Sequence, residues 1–227
     1  MTVVLLAHGS PDSRHGEAVA EQAAILRALG VEAVVAFLDH QGPSLGEVFA
    51  LIPDSGSSIS VIPLLIAQAF HAQVDVPREV SSLDRRDVVV RSGWLTDETV
   101  IAALDSLAPA QISPRDALIL VTAGSSDPAA LSADDHRAAS WARSRGISNY
   151  AAAFASGPGQ RPSTAIAAAR AAGAERVHVV AAFLAPGILL DRVIEDVSGA
   201  EGVGSLTMTP LLGNEHVTAA LLAAASD

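Results

Sequence analysis

The sequence repeats itself once at a nearly constant offset, and this repeat limits what the chain can fold into. Ala7-His8-Gly9-Ser10-Pro11-Asp12 returns as Thr122-Ala123-Gly124-Ser125-Ser126-Asp127, 115 positions later. Val35-Ala36-Phe37-Leu38-Asp39 returns as Ala152-Ala153-Phe154-Ala155-Ser156, and the stretch from Leu95 to Leu104 returns from Leu212 to Leu221, both 117 positions later. A period this long is a small domain and not the unit of a solenoid, whose repeats run to about 20–50 residues. Two prolines, Pro109 and Pro114, punctuate the stretch Ala108–Pro114 between the copies. The expected organisation is therefore two tandem copies of one domain, 1–110 and 115–227.

Within the first copy, apolar runs alternate with helical patterns. Val3–Ala7, Val34–Leu38, Ile59–Leu65 and Val88–Val90 have strand length and composition. Val19, Ala23, Leu26 and Leu29 lie at helical spacing in a segment closed by Gly30. Pro43-Ser44-Leu45-Gly46-Glu47 carries the proline and the Ser-x-x-Glu pattern of a helix start, and Thr96-Asp97-Glu98 opens a helix to about Leu107. A polar stretch holding Val76, Val80 and Leu83 separates the third and fourth strands. Strands this apolar, separated by helices, predict a parallel sheet covered on both faces. The fold class is α/β, with four parallel strands in each copy.

Composition removes whole classes of function. The 227 residues include no cysteine, which excludes disulfides, thiolate catalysis, iron–sulfur clusters and cysteine zinc sites. All fourteen basic residues are arginine, so neither a Schiff-base lysine nor a phosphate loop ending in Gly-Lys-Ser/Thr is present. A net charge of −11 and eight aromatics argue against nucleic acid as a partner. The longest apolar stretch, Val179–Leu190, contains Pro186 and Gly187 and is too short for a bilayer, which takes about 20 residues. With no signal-peptide pattern at the start, the expected location is the cytoplasm. Two copies in one chain can replace the two subunits of a homodimer, so a monomer is expected.

In an open parallel sheet, ligands bind outside the carboxyl ends of the strands. His8 follows the first strand, Asp39 follows the second, and His71 lies six residues beyond Leu65 at the end of the third. Taken singly, each has a plain reading: a hydrogen-bonded loop histidine, a loop acid or helix cap ahead of Gly42-Pro43, and a half-buried residue beside Phe70. The second copy carries Ala123, Ser156 and Leu189 at the corresponding positions, having kept the scaffold and lost all three polar groups. A purely structural role leaves that joint loss unexplained. His15 and His40 lie close enough to this edge to act behind it, whereas His136, His178 and His216 read as ordinary surface or strand residues. Gly9-Ser10 ahead of a helix can offer backbone N–H groups to an anion.

His8-Gly9-Ser10, Phe37-Leu38-Asp39 with Pro43-Ser44-Leu45, and Ile62–Ala67 leading to His71 and Asp75-Val76-Pro77 together resemble the class II tetrapyrrole chelatases. More narrowly, they resemble the sirohydrochlorin cobaltochelatase/ferrochelatase (CbiX/SirB-like) group. The likeness covers the first half directly and the second as a degenerate copy. It implies two similar α/β domains with the substrate between them, and a lyase that inserts Fe²⁺ or Co²⁺ into sirohydrochlorin in siroheme or cobalamin biosynthesis. It also makes His8 and His71 the metal-binding and proton-accepting pair. Asp39, where the group usually has Glu, is the third ligand, and Ala69 replaces a common Gly.

The chemistry agrees with that reading. Imidazole suits Fe²⁺ and Co²⁺ and accepts protons near neutral pH, and a carboxylate helps hold the cation. No ATP site or further cofactor is visible. Sirohydrochlorin is a polycarboxylate and this chain is acidic, so local positive potential must attract it. Gly9, Ser10 and Ser44 at helix N-termini, with Arg14 and Arg78, are the candidates for binding it. Two other classes stay open. One is a metal or tetrapyrrole carrier with the same ligands. The other is a phosphoryl-transfer enzyme similar to the histidine phosphatases, although Ala7 stands where those have arginine.

Overall fold

The computed structural model describes residues 1–53, 58–66, 76–83, 85 and 87–226. Sixteen elements alternate among them. The first half holds β1 (Thr2–Ala7), α1 (Ser13–Ala28), β2 (Glu32–Phe37), α2 (Leu45–Leu51), β3 (Ile59–Pro63), α3 (Val76–Ser81), β4 (Val88–Val90) and α4 (Asp97–Leu107). The second holds β5 (Ala117–Thr122), α5 (Pro128–Ser144), β6 (Asn149–Phe154), α6 (Pro162–Ala171), β7 (Val177–Ala181), α7 (Ile188–Val197), β8 (Val203–Thr207) and α8 (Glu215–Ser226). Each expected strand of the first copy is present to within two residues at either end, and the polar stretch after β3 contains the short helix α3. Among the described residues, no helix is long and apolar enough to cross a membrane.

Two four-stranded sheets form, in the orders β2-β1-β3-β4 and β6-β5-β7-β8, and every pairing is parallel. The central strands explain why. All six residues of β1 and all six of β5 are buried, so each must be covered on both faces. Val4 and Leu6 point to one face of the first sheet, into a core with Ala36, Leu45, Val48, Phe49 and Val61. Ile119 and Val121 do the same in the second, against Ala153, Ile166, Val179 and Val193.

Helix starts repeat as well. Asp12 and Asp127 cap α1 and α5, accepting from the N–H of Arg14 (3.1 Å) and Ala129 (2.9 Å). Ser44 and Glu47 complete a capping box at α2, as the Ser-x-x-Glu pattern predicts.

The compact units are not the two halves of the sequence. One comprises Met1–Thr99 with Leu212–Asp227, and the other Val100–Leu211, whereas the repeat divides the chain at 110–115. The physical reason is visible in the side chains. In the first unit, fully buried Gln22 of α1 donates to Thr218 Oγ1 of α8 (3.2 Å) and accepts from the N–H of Gly213 (2.7 Å). In the second, Asp105 of α4 accepts from the buried Trp141 indole (3.0 Å) and pairs with Arg145. Each sheet is thus completed by the last helix of the other copy.

Candidate active site at the carboxyl edge of the first sheet

In the order β2-β1-β3-β4 the strand order reverses at β1, so the topological switch point of the sheet lies between the carboxyl ends of β1 and β3. His8, half-buried, follows β1 without a break. Backbone hydrogen bonds extend the β1–β2 pairing past both strands: Leu38 N–H donates to Ala7 (3.0 Å) and Asp39 N–H to His8 (2.9 Å). Gly9 makes this possible. Its φ is +93°, and a Cβ there would stand 1.8 Å from the Asp39 carbonyl oxygen.

The loop after β2 is tightly folded. Asp39 Oδ1 accepts from the N–H of His40 (2.7 Å), and Oδ2 lies 3.6 Å from His40 Nε2. His40 has φ +62°, an uncommon conformation for a residue with a side chain. Its ring faces that of His8 with centroids 6.3 Å apart and planes tilted 30°. The Asp39 side chain is 66% exposed, so its carboxylate reaches solvent. The loop closes through the cis Gly42-Pro43 peptide, with Phe37 N–H donating to the Pro43 carbonyl (2.9 Å).

Behind this edge stands Gln41, which sequence reasoning missed. Its Oε1 accepts from the N–H of Ser10 (3.3 Å), and its amide packs where Gly16 has no side chain, 2.8 Å from the ideal Cβ position. His15 lies alongside. Burial pushes its imidazole below the usual range, the Gln41 hydrogen bond opposes that, and the charge of His8 adds to the lowering. The only sequence signal for Gln41 is the Gly at position 16, which leaves room for an amide.

The expected anion-binding residues are engaged locally. Ser10 Oγ accepts from Asp12 N–H (3.1 Å). Arg14 forks onto the Asp12 carboxylate, Nε to Oδ1 at 3.0 Å and Nη2 to Oδ2 at 2.5 Å, and this hydrogen bonding holds Asp12 below the usual carboxylate range. Ser44 donates to Glu47 Oε2 (2.9 Å) in the capping box. Arg78 is exposed on α3. His71 and Ala69 lie outside the described residues. The strand leading toward them is anchored at Pro63, whose carbonyl accepts from the Trp94 indole (2.6 Å). Among the described residues, no three His, Asp or Glu side chains already stand in metal-ligand arrangement.

The second copy preserves the backbone of this edge without its chemistry. Ser156 N–H donates to Ala123 (3.0 Å), and Gly124 has φ +83° with an ideal Cβ 2.2 Å from the Ser156 carbonyl oxygen. Ser156 Oγ also donates to the Ala123 carbonyl (2.7 Å), in place of a ligand-competent carboxylate. Leu189 lies in α7, packed against the core.

At the opposite, amino-terminal edge, the second copy carries a polar group of its own. His178 of β7 is buried, with Nδ1 2.9 Å from Ser205 Oγ and Nε2 3.1 Å from Asp116 Oδ2, while Arg176 reaches the same carboxylate at 3.1 Å. His178 is a strand residue, as expected, but a fully hydrogen-bonded interior one.

Two parallel four-stranded α/β units, one with a His–Asp edge and the other with the same backbone stripped of it, define the chelatase-like class of duplicated folds. The sequence profile of the CbiX family matches residues 2–106 and 117–226, and the chain belongs to that family. The sirohydrochlorin ferrochelatase of Bacillus subtilis (strain 168) is 30% identical over 101 residues, a match spanning 41% of this chain and 39% of that protein. The structure of SirB from Bacillus subtilis with Fe³⁺ superposes with a TM-score of 0.82 at 20% identity, covering 100% of this chain and 95% of that one. The sirohydrochlorin chelatase SirB from Bacillus subtilis subspecies spizizenii in complex with cobalt gives 0.77 at 20% identity, covering 100% and 94%.

Proposed function

We propose that this protein is a lyase that inserts a divalent metal ion, Fe²⁺ or Co²⁺, into sirohydrochlorin without ATP, using His8, His71 and Asp39. The observation that carries this reading is the fastening of His8 to Asp39 at the carboxyl edge of the first sheet, in a chain of the CbiX family. The second copy keeps the same backbone bond but pairs Ala123 with Ser156.

Insertion exchanges two pyrrole protons for one M²⁺. The ion must shed water, and the protons must reach a base. A half-buried imidazole at His8 and a solvent-reaching carboxylate at Asp39 suit these tasks: nitrogen and oxygen donors replace water on Fe²⁺ or Co²⁺, and a neutral imidazole accepts a proton as the macrocycle takes the metal. His71 supplies the second imidazole in this proposal. The substrate carboxylates are assigned to the Gly9 N–H group and to Arg78, and to Ser10 and Ser44 once these let go of Gln41 and Glu47. Arg14 joins them by releasing Asp12. Both metals suit this donor set, and the active form is proposed to be a monomer in the cytoplasm.

The test is anaerobic absorbance of sirohydrochlorin with Co²⁺ or Fe²⁺ and catalytic amounts of the protein, beside His8→Ala and His71→Ala. Multiple turnovers in the wild type and a loss of at least about 100-fold in either variant are expected, the scale of a lost acid–base group. A one-equivalent spectral change without turnover would identify a carrier instead.

A further inference from the structure

We infer that His40 is an additional ligand for the incoming metal ion, acting with Asp39 and His8. This rests on the chelatase reading for its catalytic meaning, but on geometry for the site itself. His40 Nε2 is 3.6 Å from Asp39 Oδ2, and its ring centroid is 6.3 Å from that of His8. With metal–nitrogen bonds of about 2.1 Å, two adjacent imidazoles sharing one ion hold their centroids about 4.5–5.5 Å apart. Adjacent ligand atoms on such an ion are about 3 Å apart by the same bond length. The His40 ring and the carboxylate stand near coordination spacing, whereas the two rings are about 1 Å too far apart for adjacent ligands. The inferred site is therefore not preformed and is assembled by side-chain rotation around the arriving ion.

The backbone is shaped to present this ring. At φ +62° His40 sits in a region that side chains enter at a cost, typically where function holds them. Three interactions fix the turn: His40 N–H on Asp39 Oδ1 (2.7 Å), Gln41 N–H on the Asp39 carbonyl (2.7 Å), and the Gln41 side chain on Ser10. Asp39 thus commits Oδ1 to holding the turn and directs Oδ2 toward the imidazole. Asp39 and His40 form a chelating pair on one loop, which shares a short carboxylate's task with a neighbouring nitrogen. Both side chains are substantially exposed, at 66% and 48%, so a hydrated ion reaches them from solvent.

The test is Co²⁺ titration of the full-length protein without tetrapyrrole, followed by the visible d–d bands, on the wild type, His40→Asn and His136→Asn. Asparagine tolerates positive φ, so the first substitution keeps the turn. His136 is an exposed residue on α5 and serves as the control. Expected are at least about tenfold weaker Co²⁺ binding, a blue-to-red shift of the bands in His40→Asn and no change in His136→Asn. In the insertion assay, the KM for Co²⁺ should rise by a similar factor. Unchanged Co²⁺ affinity and spectrum in His40→Asn, or no Co²⁺ binding by the wild type, overturns the assignment even if insertion proceeds. Weakened Co²⁺ binding in His40→Asn, with no insertion by the wild type, upholds the metal site and overturns the chelatase reading alone.

Discussion

The main-chain N–H of Asp39 donates to the carbonyl oxygen of His8 across 2.9 Å, so two residues 31 positions apart are fastened side by side by backbone alone. The bond involves no side-chain atom, and it fixes the distance between their Cα atoms. The same bond joins Ser156 to Ala123 in the second copy, which separates what the fold needs from what the site needs.

Gly9→Ala should damage both. The added Cβ meets the Asp39 carbonyl oxygen at 1.8 Å in a backbone conformation that disfavours side chains, at a cost of roughly 2–4 kcal/mol. Gly124→Ala faces the same obstacle, with 2.2 Å to Ser156. Thermal unfolding should show similar losses for the two variants. Metal insertion per folded molecule should fall only in Gly9→Ala, and equal falls would break the link between this edge and catalysis.

Asp39→Asn keeps the acceptor for His40 N–H but removes the charge. The KM for metal should rise about 10- to 100-fold, the usual effect of disturbing a ligand's surroundings or more. The melting temperature should barely move, because the carboxylate is 66% exposed. Steady-state kinetics at varied Co²⁺ separates this from a folding defect.

Gln41→Ala removes the acceptor for Ser10 N–H. The expected cost is about 1 kcal/mol in denaturant unfolding, with a lower kcat as the edge loosens. Gln41→Glu retains an acceptor oxygen and should recover most of the stability, an outcome that a general packing defect does not produce.

Asp116 predicts a pH dependence. Burial raises its pKa, but hydrogen bonds from His178, Ser113 N–H and Arg176 outweigh that and hold it below 3.8. Since the folded value is the lower one, its stabilisation is present above pH 3.8 and lost as pH falls through the folded pKa. Asp116→Asn should therefore cost about 2 kcal/mol at pH 7, the scale of a lost hydrogen bond to a charged group. The difference from wild type should shrink below pH 3.8, as urea titrations across pH 3–7 can show.

The strands of the first copy and their parallel arrangement are legible in the sequence, whereas their order in the sheet is not. Runs such as Val3–Ala7 and Ile59–Pro63 are apolar on both sides of the chain, and only burial between two helical layers satisfies that pattern. The sequence also determined that His8 and Asp39 lie at strand ends on one edge, since parallel strands all finish on the same side. Tertiary structure alone decided how that edge is built. The positive φ of His40, the Gln41 side chain on Ser10 and the turn of Arg14 onto Asp12 depend on atoms brought together across loops, and no periodicity encodes them. It also decided which helix completes which sheet. Gln22 finds Thr218, 196 positions away, because an interior amide must have a partner, and a repeat in the sequence does not say which copy supplies it.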